Sequence, residues 1–317
     1  MLLNSRLLLC SLLAVLPSPF YGQDLSPRAY VITPMHFNAI TLTWSFYDGG
    51  VNLNGTVPIT GAMGRYNVPV FSYYHSLNFF GRSANITLSL PYAVGNFSGE
   101  ALGEHKSIYR SGLVDFSGRF SVNLMGGPTM QPQQFATWKQ KVLLGASLKV
   151  LAPTGQYEPT KLINRGINRW AFKPEFGYSE CWGNWLLDAY AGVWFYTTNS
   201  ASYDIPMPKP QTGKPIGSFE GHISRNFAHG TWVSLDGNFW WGRVTTLNGT
   251  RHCYQTDGIS RWGHRRMALF QTPVGKDQLQ RWNIHPFRRQ LPERVRGMAV
   301  LVACSSEVET APLRMNC

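Results

Sequence analysis

The chain has 317 residues, of which 44% are hydrophobic, 14% are aromatic and only 15% are charged. Soluble domains usually carry about 25% charged residues, so this composition argues against a surface that faces water on all sides. The formal net charge is +12, but residues 251–317 hold ten Arg and one Lys against five acidic residues, which is half of the excess, and this uneven distribution argues against an extended nucleic-acid-binding surface.

The N-terminus has the pattern of a secretory signal peptide. Arg6 precedes an apolar run from Leu7 to Leu16, and small residues follow this run. The run is too short to cross a bilayer as a helix, so a buried N-terminal helix is the alternative to export. We predict an exported protein whose signal peptide, residues 1–23, is cleaved.

Apolar and polar residues alternate through most of residues 24–250, which is the pattern of β-strands. We predict about nine strands, many of them near the ten residues that a tilted membrane-spanning strand needs. Their sequences are AITLTWSF, VPVFSYYHSLNFF, NITLSLPY, VDFSGRFSVNL, KVLLGASLKV, WAFKPEFGYS, WLLDAYAGVWF, SFEGHIS and TWVSLDGNFWW. Since no second apolar stretch approaches twenty residues, a membrane protein built from this chain has to be a barrel.

The positions of the aromatic residues distinguish a membrane barrel from a soluble β-sandwich. Several large aromatic residues fall near predicted strand ends, where a girdle would meet the lipid headgroups, whereas a sandwich more often buries such residues in mid-strand. They are Trp170, Trp182, Trp185, Tyr196, Trp232 and Trp241. We therefore predict an all-β fold, an antiparallel transmembrane β-barrel in the bacterial outer membrane.

Polar and charged residues occupy the other face of the predicted strands, which would line the lumen of the barrel. They are Asp115, Arg119, Lys149, Lys173, Glu175, Asp188, Glu220, His222 and Asp236. The favoured interpretation is that these groups pair with one another, and direct contact with a solute is the alternative. The chain contains no GxSxG, HExxH or phosphate-binding loop, so we predict no catalytic residue, metal or cofactor and assign His222 a hydrogen-bonding role.

Four blocks of sequence carry a resemblance to a known family. They are YYHSLNFFGRSANITLSLPY, GASLKVLAPTGQY, INRWAFKPEFGYS and DAYAGVWFYTTN, and they occur in the expected order. Together they resemble an outer-membrane family linked to the MetA pathway of phenol degradation, and the likeness runs from about Gln23 to Thr250. The resemblance implies an outer-membrane barrel that passes aromatic or other hydrophobic small molecules.

Members of that family continue with further strands, whereas this chain continues with an arginine-rich run that has no period. A shift of one base restores a strand pattern. Met298 followed by Ala299 forces the shifted codon TGG, a tryptophan, and one permitted shifted translation of residues 280–304 is SDGTFIRFGGNYQSVSVAWQYSWLA. We therefore predict a frame change between about Thr250 and Thr256, which makes residues 251–317 a non-native tail.

An intact barrel would then have about twelve strands, and the chain as written would keep about nine. We expect an open or strained barrel whose tail is poorly ordered, helical in places or draped outside the wall, because unpaired strand edges are not tolerated in hydrocarbon. Such a barrel would fail to insert and would not function.

The predicted function of an intact barrel is passive passage of a small hydrophobic or aromatic solute. Its expected partners are outer-membrane lipid, the solute and the outer-membrane assembly machinery, but not nucleic acid. An outer-membrane enzyme and a structural or adhesive barrel with a plugged lumen are the alternatives.

Overall fold

The computed structural model describes residues 27–50, 59–101, 103–204, 206–227, 232–242, 244–247, 250–253, 259–263 and 298–309. The predicted signal peptide, residues 1–23, and most of the arginine-rich tail lie outside these ranges.

The described residues form sixteen β-strands and one short helix. The helix, α1, spans Pro132–Thr137, and no helix in the described part is long and apolar enough to cross a membrane. The strands are β1 (Asn38–Gly50), β2 (Ile59–Phe79), β3 (Arg82–Ala101), β4 (Glu104–Leu113), β5 (Ser117–Met125), β6 (Val142–Leu151), β7 (Ala171–Trp182), β8 (Trp185–Tyr196), β9 (Asn199–Ser202), β10 (Lys209–Gly213), β11 (Ile216–Asn226), β12 (Trp232–Gly242), β13 (Val244–Leu247), β14 (Thr250–Cys253), β15 (Ile259–Gly263) and β16 (Met298–Glu309).

Twelve of these strands form one sheet that curls into a half-barrel. Its order is β15-β12-β11-β8-β7-β6-β5-β3-β2-β1-β16, and β4 pairs with the upper part of β3. Among the described strands, β15 and β16 lie at the two ends of this path, so the described sheet is open. A second sheet of four short strands has the order β14-β13-β10-β9.

A two-residue turn joins the two longest strands, β2 and β3. Phe80 and Gly81 both have positive φ, 51° and 79°, as a type I′ turn requires. This turn matches the right-handed twist of the strands on either side of it, which fixes the register of the hairpin.

The burial of side chains follows the predicted alternation. In β7, Lys173 is 1% exposed and Glu175 is 3% exposed. Phe176, which lies between the buried Glu175 and Gly177, is 67% exposed. The charged face is therefore the buried, inner face, and the apolar face points outward. A soluble sandwich would bury its apolar face, so the predicted barrel-type, all-β fold is confirmed.

The aromatic residues predicted for the girdle divide between the two faces of the sheet. Trp170, Trp182 and Trp185 lie at strand ends and are exposed. Trp232, which is buried, and Tyr196 instead lie on the inner face, because each has the same parity along its strand as the buried polar residues. The side chain of Trp241 lies outside the described part of the chain.

The strands differ from prediction in number and in direction. Ten strands of the main sheet precede residue 250, rather than about nine in all, because the ten-residue strand β4 was not recognised. The described parts of the tail are strands: β15 pairs with β12, and β16 pairs with β1. The β1–β16 pairing is parallel, unlike the antiparallel pairing that was predicted throughout. The frame change itself stays a prediction.

Candidate functional site

The inner face of strands β5 to β12 carries the charged residues that the sequence singled out. Antiparallel pairing places them in rows, because residues directly opposite each other share a face of the sheet. Asp188 on β8 lies opposite His222 on β11, which lies opposite Asp236 on β12. On three other strands of the same sheet, β5, β6 and β7, the residues Arg119, Lys149 and Lys173 form a second row.

Lys173 is the centre of a buried ion-pair cluster. Its Nζ lies 2.8 Å from Glu175 Oε2 and 3.0 Å from Glu220 Oε1, and all three side chains are almost fully buried. Arg119 Nη2 lies 4.0 Å from Glu175 Oε1. Buried charges are stable only when paired, so this mutual pairing agrees with the favoured interpretation of the sequence.

His222 belongs to a hydrogen-bond network in the first row, which it forms with Asp188 and Asp236. Its Nδ1 lies 2.8 Å from Asp236 Oδ1, and Ser234 Oγ donates to Asp236 Oδ2 at 3.1 Å. The imidazole ring also packs against the ring of Tyr190, with centroids 5.1 Å apart. These contacts match the hydrogen-bonding role expected for His222.

An N-terminal segment, residues 27–37, lies against this inner face, and we call it the inner segment. The backbone N–H of Arg28 donates to Asp188 Oδ2 at 3.0 Å, and the Arg28 side chain donates to Asn226 Oδ1 at 2.6 Å. The guanidinium group also lies 4.2 Å from the ring centroid of Trp232. The inner segment therefore supplies a positive charge to a wall that carries Asp188 and Asp236.

Tyr30 of the inner segment is almost fully buried against the inner face. Its hydroxyl contacts Ser147 Oγ at 3.0 Å and donates to Glu175 Oε1 at 3.1 Å. Its ring covers Gly145 and Gly177, where any Cβ would overlap the ring atoms. Burial, and secondly the nearby Glu175 carboxylate, raise the pKa of Tyr30 to about 12, so the phenol keeps its proton at neutral pH.

The root of the inner segment packs into a small apolar core. Ile32, Met130 and Leu143 are buried together, and Phe135 and Trp138 pack against them. The loop that carries α1 thus fixes the segment where it enters the half-barrel. Reasoning from sequence missed the inner segment, because the hydrogen bonds of Arg28 and Tyr30 join residues 117 to 198 positions apart.

Asp115 has a different role from the other predicted lumen residues. It lies between β4 and β5, where its carboxylate accepts hydrogen bonds from the backbone N–H groups of Gly155, at 2.9 Å, and Ile167, at 2.7 Å. These hydrogen bonds anchor the long loop between β6 and β7. Asp115 can make them because it precedes the first residue of β5 and is not part of the strand.

Aromatic rings and basic groups lie next to each other near the second row, which contains Arg119, Lys149 and Lys173. Trp194 stacks on Tyr196 with ring centroids 5.9 Å apart. The ammonium groups of Lys149 and Lys173 lie 5.5 and 5.8 Å from the Trp194 ring centroid, and the guanidinium of Arg169 lies 4.5 Å from that of Tyr196. These distances are within the range of cation–π contacts.

Comparison with known proteins agrees with this architecture. A crystal structure of an outer membrane channel from Pseudomonas putida F1 is similar, with a TM-score of 0.54 and 17% sequence identity over 72% of this chain and 81% of that chain. At that identity the likeness shows the fold alone. No curated protein matches the chain. A family model, "Putative MetA-pathway of phenol degradation", matches residues 51–257, about two thirds of the sequence. The chain therefore belongs to this family.

Proposed function

We propose that the protein is an outer-membrane channel that lets small hydrophobic or aromatic solutes cross passively. The observation that carries this proposal is the orientation of the sheet, whose charged face is buried inside the curl and whose apolar face is exposed. Such an arrangement suits a lipid exterior and a polar lumen. Family membership and the fold shared with an outer membrane channel support it.

The proposed mechanism is diffusion along the inner face without energy input or a cofactor. Rows of charged side chains and patches of aromatic side chains set the selectivity of such a path, because they contact the solute at close range where little water screens them. The inner segment occupies part of the lower path, so a solute would pass beside Tyr30 and across the row that contains Lys149.

Flux measurements test the channel directly. Vesicles containing the full-length protein with its terminal reading frame repaired are expected to take up small aromatic solutes faster than empty vesicles. Lys149→Glu should shift the permeability of a planar bilayer towards cations, because it reverses one charge on the inner face, while leaving assembly intact. Lys106→Glu is the control, since Lys106 is exposed and pairs with the exposed Glu104 near the tip of a hairpin. An inserted protein without conductance would contradict the proposal, and hydrolysis of esters would favour an enzyme.

One observation favours a second candidate function, a structural barrel with a plugged lumen. The inner segment is held by hydrogen bonds from Arg28 and Tyr30 and by a cation–π contact. A plug that never moves would give no flux in the same vesicles, so the measurement separates the two functions.

We further propose that the tail, residues 251–317, is translated in the wrong frame. The chain as written is expected to assemble poorly beside a version repaired by one base near codon 250, because the repaired chain gains the strands that close the barrel. Heat-modifiable migration in outer-membrane fractions reports assembly. Equal and stable assembly of both versions would show that the tail is native.

A further inference from the structure

Three basic residues lie directly opposite one another on neighbouring strands. Arg119 pairs in register with Lys149, and Lys149 pairs in register with Lys173. Like charges at directly opposite positions destabilise a sheet. The row therefore needs anions nearby, and the number of anions on the wall decides whether the row is already neutralised.

The two acidic groups nearest this row both contact the same member of it, Lys173. Glu175 and Glu220 both bind Lys173, and Glu175 also lies 4.0 Å from Arg119. In the part of the chain that the structure describes, no carboxylate lies within 4.0 Å of the Lys149 ammonium. Lys149, at the middle of the row, is therefore left with an aromatic ring as its contact.

That contact places a positive charge beside a stacked aromatic pair. The Lys149 ammonium lies over Trp194, which stacks on Tyr196. Trp194 is only 7% exposed, whereas Lys149 and Tyr196 both keep part of their surface open on the inner face. A solute at this point would meet a cation and an aromatic surface together.

We propose that Lys149, Trp194 and Tyr196 form a subsite for aromatic carboxylates. The carboxylate would pair with Lys149, with Arg119 adding to the positive potential, and the aromatic ring of the solute would lie against Tyr196. This inference rests on the proposed channel function and narrows its substrate class from hydrophobic or aromatic solutes to anionic aromatic ones. Neutralising Lys149 would also relieve the repulsion within the row.

Calorimetric titration of the full chain in detergent, with the one-base-repaired chain in parallel, tests the subsite. Benzoate is expected to bind about tenfold more tightly than benzyl alcohol, which lacks the charge. It should bind about threefold to tenfold more tightly than cyclohexanecarboxylate, which lacks the aromatic ring. These comparisons require no mutation, so they hold even if a variant fails to fold.

Variants then assign the two contacts. Lys149→Met should weaken benzoate binding about tenfold, and Lys149→Arg should retain most of the affinity. Tyr196→Leu should remove the preference for benzoate over cyclohexanecarboxylate. Lys141→Met is the matched control, because Lys141 is exposed and directly precedes the same strand.

Three results would overturn the subsite: no benzoate binding, equal binding of benzoate and benzyl alcohol, or equal losses in Lys149→Met and Lys141→Met. Flux of neutral solutes without benzoate binding would refute the subsite and leave the channel standing. Benzoate binding without any flux would refute the channel alone.

Discussion

Replacing Lys173 with methionine is expected to lower the free energy of unfolding by about 3 to 5 kcal/mol. The Lys173 ammonium is buried between the carboxylates of Glu175 and Glu220, which lie 2.8 and 3.0 Å from it. Removing the cation leaves two buried negative charges facing each other, and Arg119, 4.0 Å from Glu175, compensates them only in part. Urea titration of the protein refolded into lipid vesicles, followed by tryptophan fluorescence, measures the loss.

Two controls separate charge from shape in this experiment. The triple variant Lys173→Met, Glu175→Gln, Glu220→Gln should regain part of the lost stability, because it removes the two buried negative charges together with the cation. Lys106→Met should have little effect, since its ion pair with Glu104 is exposed. A loss for Lys173→Met no greater than that for Lys106→Met would contradict the structural role of the cluster.

Replacing Gly177 with alanine is expected to expel Tyr30 from the inner wall and raise the conductance of the channel. The new Cβ would overlap the Tyr30 ring. The ring cannot shift enough to make room while its hydroxyl stays bonded to Glu175 and Ser147, so these hydrogen bonds have to break. Expulsion would expose the inner segment to protease as well. Single-channel recordings measure the conductance, and trypsin cleavage after Arg28 reports release of the segment.

The controls for Gly177 use one other glycine and one second-site change. Gly237→Ala should change neither measurement, because nothing lies within 4 Å of the position that its Cβ would occupy. Adding Tyr30→Gly to Gly177→Ala should relieve the overlap, so that the stability lost through the overlap is regained while the conductance stays high. Unchanged conductance and unchanged protease protection in Gly177→Ala would show that the inner segment does not restrict the path.

Much of the strand pattern could be predicted because it depends on local backbone geometry. Successive residues of a strand point to opposite faces, so the period of two assigned Lys173 and Glu175 to one face and Phe176 to the other. Trp182 and Trp185 are exposed for the same reason, because they share the parity of the outward-facing Phe176 and Phe195 on their strands. Composition alone indicated that the outer surface does not face water on all sides, since only 15% of the residues are charged.

The assignment of individual partners depended on the tertiary structure. Trp232 and Tyr196 were predicted in the girdle from their places near strand ends, yet each has the same parity along its strand as the inner polar residues. Asp115 was grouped with the lumen charges, yet a loop about forty to fifty residues later in the chain takes its carboxylate. Both errors arise because proximity to a strand end does not specify a face or a partner.

The alternation of neighbouring residues is enough to predict that this chain forms β-strands with one charged and one apolar face. Three further features required the folded chain: Glu175 and Glu220 both bind Lys173, Lys149 lies beside Trp194, and Tyr30 covers two glycines. These contacts join residues distant in sequence, and a single step in strand register would exchange every one of them.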